Sequence, residues 1–158
     1  MRRLGILGLI FFMAANAGAM GVGVQPALAG GSAPTLAPPV IHEQFTLLPC
    51  TQGTTLGMEG CAEHDLLRAD TRIDKEVRLL FSLLFDNAAR ERLTKAQVTW
   101  MAFRQADCRS QSDVYEGGTQ AAVEFGRCAL SDDKARSGEL HAFYLGLVQG
   151  RHNAPRFP

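Results

Sequence analysis

The sequence has no excess of either charge and no long positively charged segment. It carries 16 Lys and Arg residues against 16 Asp and Glu residues in 158 positions. Without a net positive charge there is no standing field to attract a phosphate backbone, so we expect no nucleic-acid binding. The length suits one modest folded domain and leaves no room for a two-domain enzyme.

Catalytic motifs are also absent. The chain contains no Gly-x-Ser-x-Gly, no Gly-Lys-Ser/Thr and no His-Glu-x-x-His sequence, which removes the common signatures of hydrolases, nucleotide-binding proteins and zinc proteases. Asp70 and Asp74 could in principle act as an acid and base pair. Because they alternate with basic residues on a predicted helix, we expect them to be solvated, and we predict no catalytic residue and no cofactor.

Charged residues are missing altogether from Leu4 to Ile41. Arg2 and Arg3 precede an apolar run that gives way to small residues, the layout of a secretory signal peptide. Cleavage is possible after Ala19 or after Ala29, and we favour Ala29 because Pro26 ends the apolar segment just before it. We therefore predict a signal peptide over 1–29 and a secreted or periplasmic mature chain with a net charge of −2, from 14 basic and 16 acidic residues. A retained membrane anchor is the alternative, since the apolar run is long enough to span a bilayer.

All four cysteines follow this segment: Cys50, Cys61, Cys108 and Cys128. An even number in an oxidising compartment favours two disulfides. The i, i+3 spacing of Cys61 and His64 offers a metal site as the alternative, but no Cys-x-x-Cys accompanies it, so we predict no metal. Of the three possible pairings we favour Cys50 with Cys108 and Cys61 with Cys128, which would join the front of the domain to its back.

The remaining pattern predicts an all-α fold, a small antiparallel bundle of three to four helices. Residues 30–49 are rich in Pro and Gly and predict a flexible leader, and residues 150–158 predict a disordered tail. Between them lies the helical domain, 50–149. Its first helix runs from beyond Cys61 to about Phe85, with one apolar face, and Asp74 and Arg78 are spaced as an i, i+4 ion pair. The apolar face consists of Leu66, Ile73, Val77, Leu80 and Leu84.

The second half of the domain is divided by polar segments. Asp86-Asn87 can cap a second helix with a predicted inner face of Leu93, Ala96, Trp100, Phe103 and Asp107. We expect a polar loop from Ser110 to Gly118, a short third helix from Thr119 to Cys128, and a fourth helix capped by Ser131. The fourth helix would carry Ala135, Leu140, Phe143 and Leu147 on its inner face.

Several of these residues resemble a known family, the lysozyme inhibitor LprI-like N-terminal domain. The resemblance covers about residues 50 to 145 and rests on the four cysteines and the ordered residues Asp70, Gln97, Trp100, Arg104, Gly117, Gly118, Arg136 and Leu140. It implies a small helical protein of the bacterial envelope and, by the family's name, inhibition of lysozyme. We predict a structural role for the motif: Trp100 in the core, Arg104 paired with a carboxylate such as Asp70, and Gln97 bonded to buried backbone or to Arg104.

Binding to a cationic glycosidase would call for acidic groups on a protruding segment. The loop from Ser110 to Gly118 supplies Asp113, Tyr115 and Glu116 beside two glycines, and we predict these three as partner-binding residues. The alternative function is a secreted helical binding or scaffold module for another envelope component, which the sequence does not separate from an inhibitor.

Overall fold

Three long α-helices make up the part of the protein that the structure describes. The computed structural model describes residues 36–43 and 45–158, so the predicted signal peptide and the start of the leader lie outside the described residues. Helix α1 spans Thr55–Leu83, α2 spans Asn87–Ser112 and α3 spans Thr119–Val148. A single 3₁₀ turn, Asp113–Tyr115, stands between α2 and α3. The prediction of an all-α bundle is therefore confirmed, and no described residue forms a strand.

Helix α1 begins two turns earlier than the hydrophobic pattern predicts. The Thr54 hydroxyl accepts a hydrogen bond from the Gly57 N–H at 3.0 Å, a normal N-cap. Gly57 and Gly60 then lie inside the helix although glycine weakens helices. A Cβ on Gly60 would stand 2.6 Å from the carbonyl oxygen of Pro49. The glycines therefore permit the preceding chain to lie directly on the first turns of α1.

The boundary between α1 and α2 is where the sequence predicts it. Asp86 caps α2 by accepting a hydrogen bond from the Ala89 N–H at 2.6 Å. The end of α2 is later than expected, because the helix continues through Ser110 to Ser112. The predicted loop is thus reduced to the 3₁₀ turn and the glycines that follow it.

Helix α3 is one continuous helix where the sequence suggested two. Ser131 could have capped a fourth helix, but it lies exposed in the middle of α3. No proline or glycine interrupts the chain there, and Asp133 faces inward to bind Arg104 at 2.7 Å. Continuing the helix buries Ala129 and Asp133 together on the same side, whereas a break would separate them.

The helices run up, down and up, with α2 antiparallel to both neighbours, and α3 packs against both α1 and α2. Gly126 of α3 lies so close to α1 that an added Cβ would be 2.9 Å from the Ala62 Cβ. The larger core cluster joins the predicted apolar face of α1 to residues of α2 and α3: Ile73, Val77, Leu80, Leu84, Leu93, Leu140 and Tyr144. A smaller cluster of Leu66, Cys108 and Ala129 lies nearer the disulfides. No helix among the described residues is both long and apolar enough to cross a membrane.

The predicted inner faces of the later helices are partly wrong. Ala96 and Phe103 of α2 are exposed, as are Ala135 and Phe143 of α3. The inner stripe of α2 instead consists of Leu93, Gln97, Arg104 and Cys108. The apolar pattern did not predict this inner face, because two of its four residues have polar side chains that are bonded to partners inside the protein.

The leader and the tail both lie against the bundle. Residues 36–43 and 45–49 form no helix or strand, as their composition predicts, but Phe45 packs on the smaller core cluster. The Ile41 N–H donates a hydrogen bond to Asp74 at 3.0 Å. In the tail, Phe157 stacks on His141 with the ring centroids 4.8 Å apart. Both segments therefore have specific contacts that a flexible leader and a disordered tail would lack.

All four cysteines are oxidised, but the favoured pairing is wrong. The bonds are Cys50–Cys61 and Cys108–Cys128. The close approach allowed by Gly60 puts Cys50 beside Cys61 on the first turns of α1. The antiparallel arrangement of α2 and α3 then leaves Cys108 opposite Cys128.

Candidate functional site

One buried guanidinium joins four segments of the chain. Arg104 Nη1 donates to Asp70 of α1 and to Asp133 of α3, each at 2.7 Å, and Arg104 Nη2 donates to Glu43 of the leader. The predicted pair of Arg104 with Asp70 is present. The side chains of Arg104, Asp70 and Asp133 are at most 6% exposed, so these three residues tie the bundle together from inside.

Burial changes how these carboxyl groups hold protons. It raises the pKa of Asp133 to about 7, against an ordinary 3.8, with Asp70 adding to the rise and Arg104 opposing it. Burial raises the pKa of Asp70 and of Glu43 in the same way. Burial disfavours the charge of Arg104, but Asp133 and Asp70 more than offset this effect and raise its pKa. The cluster therefore keeps its cation and carries less than three full negative charges near neutral pH.

The carboxylates of α1 were expected to be solvated, and this expectation is wrong. Asp70 is 4% exposed and Asp74 is 7% exposed. Asp74 accepts the Ile41 N–H instead of pairing with Arg78. The i, i+4 ion pair that α1 does form is Arg72 with Glu76, at 2.8 Å. Because Asp70 and Asp74 are buried and bound, they are unavailable as an acid and base pair.

Gln97 and Trp100 make their contacts within the bundle. Gln97 is fully buried and accepts a hydrogen bond from Arg136 Nε at 3.2 Å, so its partner is Arg136 and not Arg104. Trp100 is half-buried and packs on the larger core cluster. Its ring lies 5.3 Å from the Arg104 guanidinium and 5.7 Å from that of Arg136, which is within the range of cation–π attraction. The contacts of these two residues are therefore structural.

The turn between α2 and α3 is the part of the predicted site that faces solvent. Asp113, Tyr115 and Glu116 are all exposed. The Glu116 N–H donates to Asp113 O and the Gly118 N–H to Tyr115 O, both at 3.0 Å. Glu116 has a φ of 53° and Gly117 one of 75°, so the chain reverses in left-handed backbone conformations, which glycine adopts easily. The turn therefore presents its side chains from a hydrogen-bonded backbone.

A groove of about 530 Å³ lies beside the turn, and we call it the turn groove. Asp113 and Gly117 form its edge, and the leader, α1, α2 and α3 all contribute to its walls. Its acidic residues are Glu43, Glu59, Glu63 and Asp113. Arg109 and His42 also line it. Phe45 and Phe125 give it an apolar part. The groove is therefore concave, acidic and partly aromatic.

Within the described residues, potential metal ligands come together at one place, around the second disulfide. The ligand atoms of Asp107, Cys108, Cys128 and Asp132 lie within 4.8 Å of one another. The two sulfurs are bonded to each other, so they are not thiolate ligands. Cys61 is bonded to Cys50 in the same way, which removes the pair with His64 that the sequence offered. The donor atoms that remain at each place are too few for a structural zinc site.

The structure adds residues that the sequence did not single out. Val114 is the most exposed apolar side chain of the turn, at 72%, and its position inside a polar segment was a usable signal. Glu43 and Asp133 complete the Arg104 cluster. No local pattern identifies these two, because their roles depend on contacts between distant segments. Arg136 was part of the family resemblance, but its bond to Gln97 was not predicted.

Comparison with known proteins gives one match. The family model described as lysozyme inhibitor LprI matches residues 50–140. That range includes α1, α2, the turn and most of α3, and it is more than half of the chain. No curated protein and no solved structure matches significantly.

Proposed function

The chain belongs to the lysozyme inhibitor LprI family, and from this membership we propose that it binds a lysozyme-type glycosidase and blocks it without chemistry of its own. The observation that carries the proposal is the exposed turn beside the acidic turn groove. A family of inhibitors acts by binding, and the acid and base pair that the sequence offered, Asp70 and Asp74, is buried and bound within the protein. Both disulfides suit a secreted or periplasmic protein.

The turn has the composition of a binding anchor. Val114 and Tyr115 are 72% and 40% exposed and form an apolar tip, with Asp113 and Glu116 on either side. An aromatic side chain buries a large area in a partner at a low cost in conformational entropy. The backbone hydrogen bonds of the turn lower that cost further, because less freedom is lost on binding.

The charges next to the tip favour a basic partner. Asp113 lines the turn groove together with Glu59 and Glu63, and Glu116 is an exposed residue of the same turn. An acidic surface accelerates encounter with a cationic enzyme, and its carboxylates can compete with substrate for hydrogen-bond donors in the enzyme's cleft. Added salt should therefore slow association.

The experiment is a calorimetric titration of purified mature protein into lysozymes of different types, repeated with two variants. Tyr115→Ala should weaken binding by about 2 kcal/mol, which is about thirtyfold. Phe85→Ala is the matched control, since Phe85 is 83% exposed at the other end of α1, and it should bind like the wild type. Equal affinity of wild type and Tyr115→Ala would remove the turn from the binding site. A similar loss in Phe85→Ala would show that the effect is not specific to the turn.

A further inference from the structure

In the middle of α1 the acidic side chains are buried and the basic side chains are exposed. From Arg68 to Arg78 basic and acidic residues alternate along the sequence. The formal net charge of this segment is therefore small. In the structure Asp70, Asp74 and Glu76 are all less than 8% exposed. The basic residues of the same stretch are all exposed: Arg68, Arg72, Lys75 and Arg78. The middle of α1 therefore presents a basic surface to solvent.

Each buried acid is compensated from within the protein. Asp70 binds Arg104 and Asp74 accepts the Ile41 N–H. Glu76 accepts hydrogen bonds from Arg72 Nε at 2.8 Å and from the Ser137 hydroxyl at 2.7 Å. Arg72 uses only its Nε atom in this bond, and its terminal amino groups make no hydrogen bond to the described residues. The acids hold the bundle together and leave the positive groups at the surface.

This basic surface borders a groove of about 470 Å³ between α1 and α3, which we call the basic groove. Arg72 and Arg68, the latter ion-paired with Asp65, line one side, and Lys134 and His141 line the other. Among the described residues neither Lys134 nor His141 takes part in a salt bridge. Cationic side chains therefore stand on both sides of one concavity, separate from the turn groove.

The floor of the basic groove is mixed in character. Leu130 supplies apolar surface, with Ile73 buried beneath it, and Ser137 supplies a hydroxyl oxygen. Space is open above Gly138, because a Cβ placed there would meet no atom within 4 Å. The single carboxyl in the lining is Asp133, which is 1% exposed and bound to Arg104. Its charge is thus compensated from behind and opposes an anion in the groove only weakly.

We propose that the basic groove binds a carboxylate-bearing sugar. The carboxylate would lie between Arg72 and Lys134, where a guanidinium supplies paired donors and an ammonium supplies a point charge. The pyranose ring would place an apolar face on Leu130 and hydroxyls near Ser137. The volume is enough for one or two sugar rings, much more than a bare inorganic anion needs. This site goes beyond the proposed inhibitor function and does not depend on it.

The test is an NMR titration of the full mature protein with digalacturonate, and with its dimethyl ester as a neutral probe of the same shape. Digalacturonate should shift the amide signals of residues 68–73 and 130–141, and the ester should bind at least about tenfold more weakly, a difference of about 1.4 kcal/mol. Equal binding of acid and ester would overturn the proposal. So would the absence of shifts in the basic groove at millimolar ligand.

Two charge reversals locate the site. Lys134→Glu should weaken digalacturonate binding by at least about tenfold, whereas Lys95→Glu, at an exposed lysine on α2, should leave it nearly unchanged. Both positions are exposed, and the wild-type pattern of signals far from the substitution shows that each variant is folded. An equal loss in both variants would show general charge attraction and would refute a specific groove.

Discussion

Replacing Asp133 by Asn changes the pH dependence of stability in a direction that the structure determines. Asp133 is buried and accepts a hydrogen bond from Arg104 at 2.7 Å. Its pKa in the folded protein is about 7, against an ordinary 3.8 in the unfolded chain. Between these two values the folded protein holds a proton that the unfolded chain has released. Stability contributed by this group is therefore present at low pH and is lost as the pH rises towards 7.

The size of the effect follows from the interval between the two pKa values. One pKa unit corresponds to about 1.4 kcal/mol. Asp133 alone should thus lower the free energy of unfolding by about 4 kcal/mol as the pH rises from 4 to above 7. Asn cannot ionise, so Asp133→Asn should lack this contribution. The free energy of unfolding of the variant should therefore rise relative to that of the wild type throughout this interval. At higher pH the difference between the two proteins should stay constant.

Urea unfolding of both proteins with their disulfides intact, at pH 4, 5.5, 7 and 8, measures the difference directly. Only the change in this difference with pH matters, since the Arg104 contact is altered at every pH. Glu91→Gln, at an exposed carboxyl of α2, controls for the loss of any one acidic group. A difference between wild type and Asp133→Asn that stays flat, or that moves in favour of the wild type as pH rises, would refute the reasoning.

Two further predictions concern packing. Leu80→Ala should destabilise the protein by about 2 to 5 kcal/mol, because Leu80 is fully buried in the larger core cluster, and chemical unfolding should show the loss; a change below about 1 kcal/mol would contradict the assigned core. Gly60→Ala should cost about 1 to 3 kcal/mol, because its Cβ would lie 2.6 Å from Pro49 O. At Gly146 an added Cβ meets nothing within 4 Å, so Gly146→Ala should instead stabilise the protein by about 0.5 to 1 kcal/mol in melting experiments. A stability change of the same sign in both glycine variants would contradict the close approach at Gly60.

The sequence was informative where one local rule decided the structure. The helical spacing of apolar residues predicted the inner face of α1 correctly. All five of its residues, from Leu66 to Leu84, are buried. Asp86 was predicted as a cap because its side chain can bond the N–H three residues later. The even number of cysteines and their position after a predicted signal peptide indicated two disulfides.

Predictions failed where distant segments decide which side chains are buried. Phe103 was predicted on the inner face of α2 but is 58% exposed, whereas Arg104, for which only the pair with Asp70 was predicted, is 4% exposed. Arg104 is buried because Glu43, Asp70 and Asp133 reach it from three other segments. The disulfide pairing failed for the same kind of reason, since it depends on how the leader turns back over Gly60. For the site, the turn residues could be selected from composition, whereas the turn groove could not be seen before the leader and the helices were assembled.

The most direct test of the central claim is an inhibition assay with the purified, disulfide-bonded mature protein and lysozymes of several types, using the clearing of a cell-wall suspension as the readout. We predict that micromolar protein slows at least one type, that added salt weakens the effect, and that Tyr115→Ala loses most of it while Phe85→Ala does not. If the folded wild-type protein slows none of the lysozymes at these concentrations, it is not an inhibitor of the kind proposed.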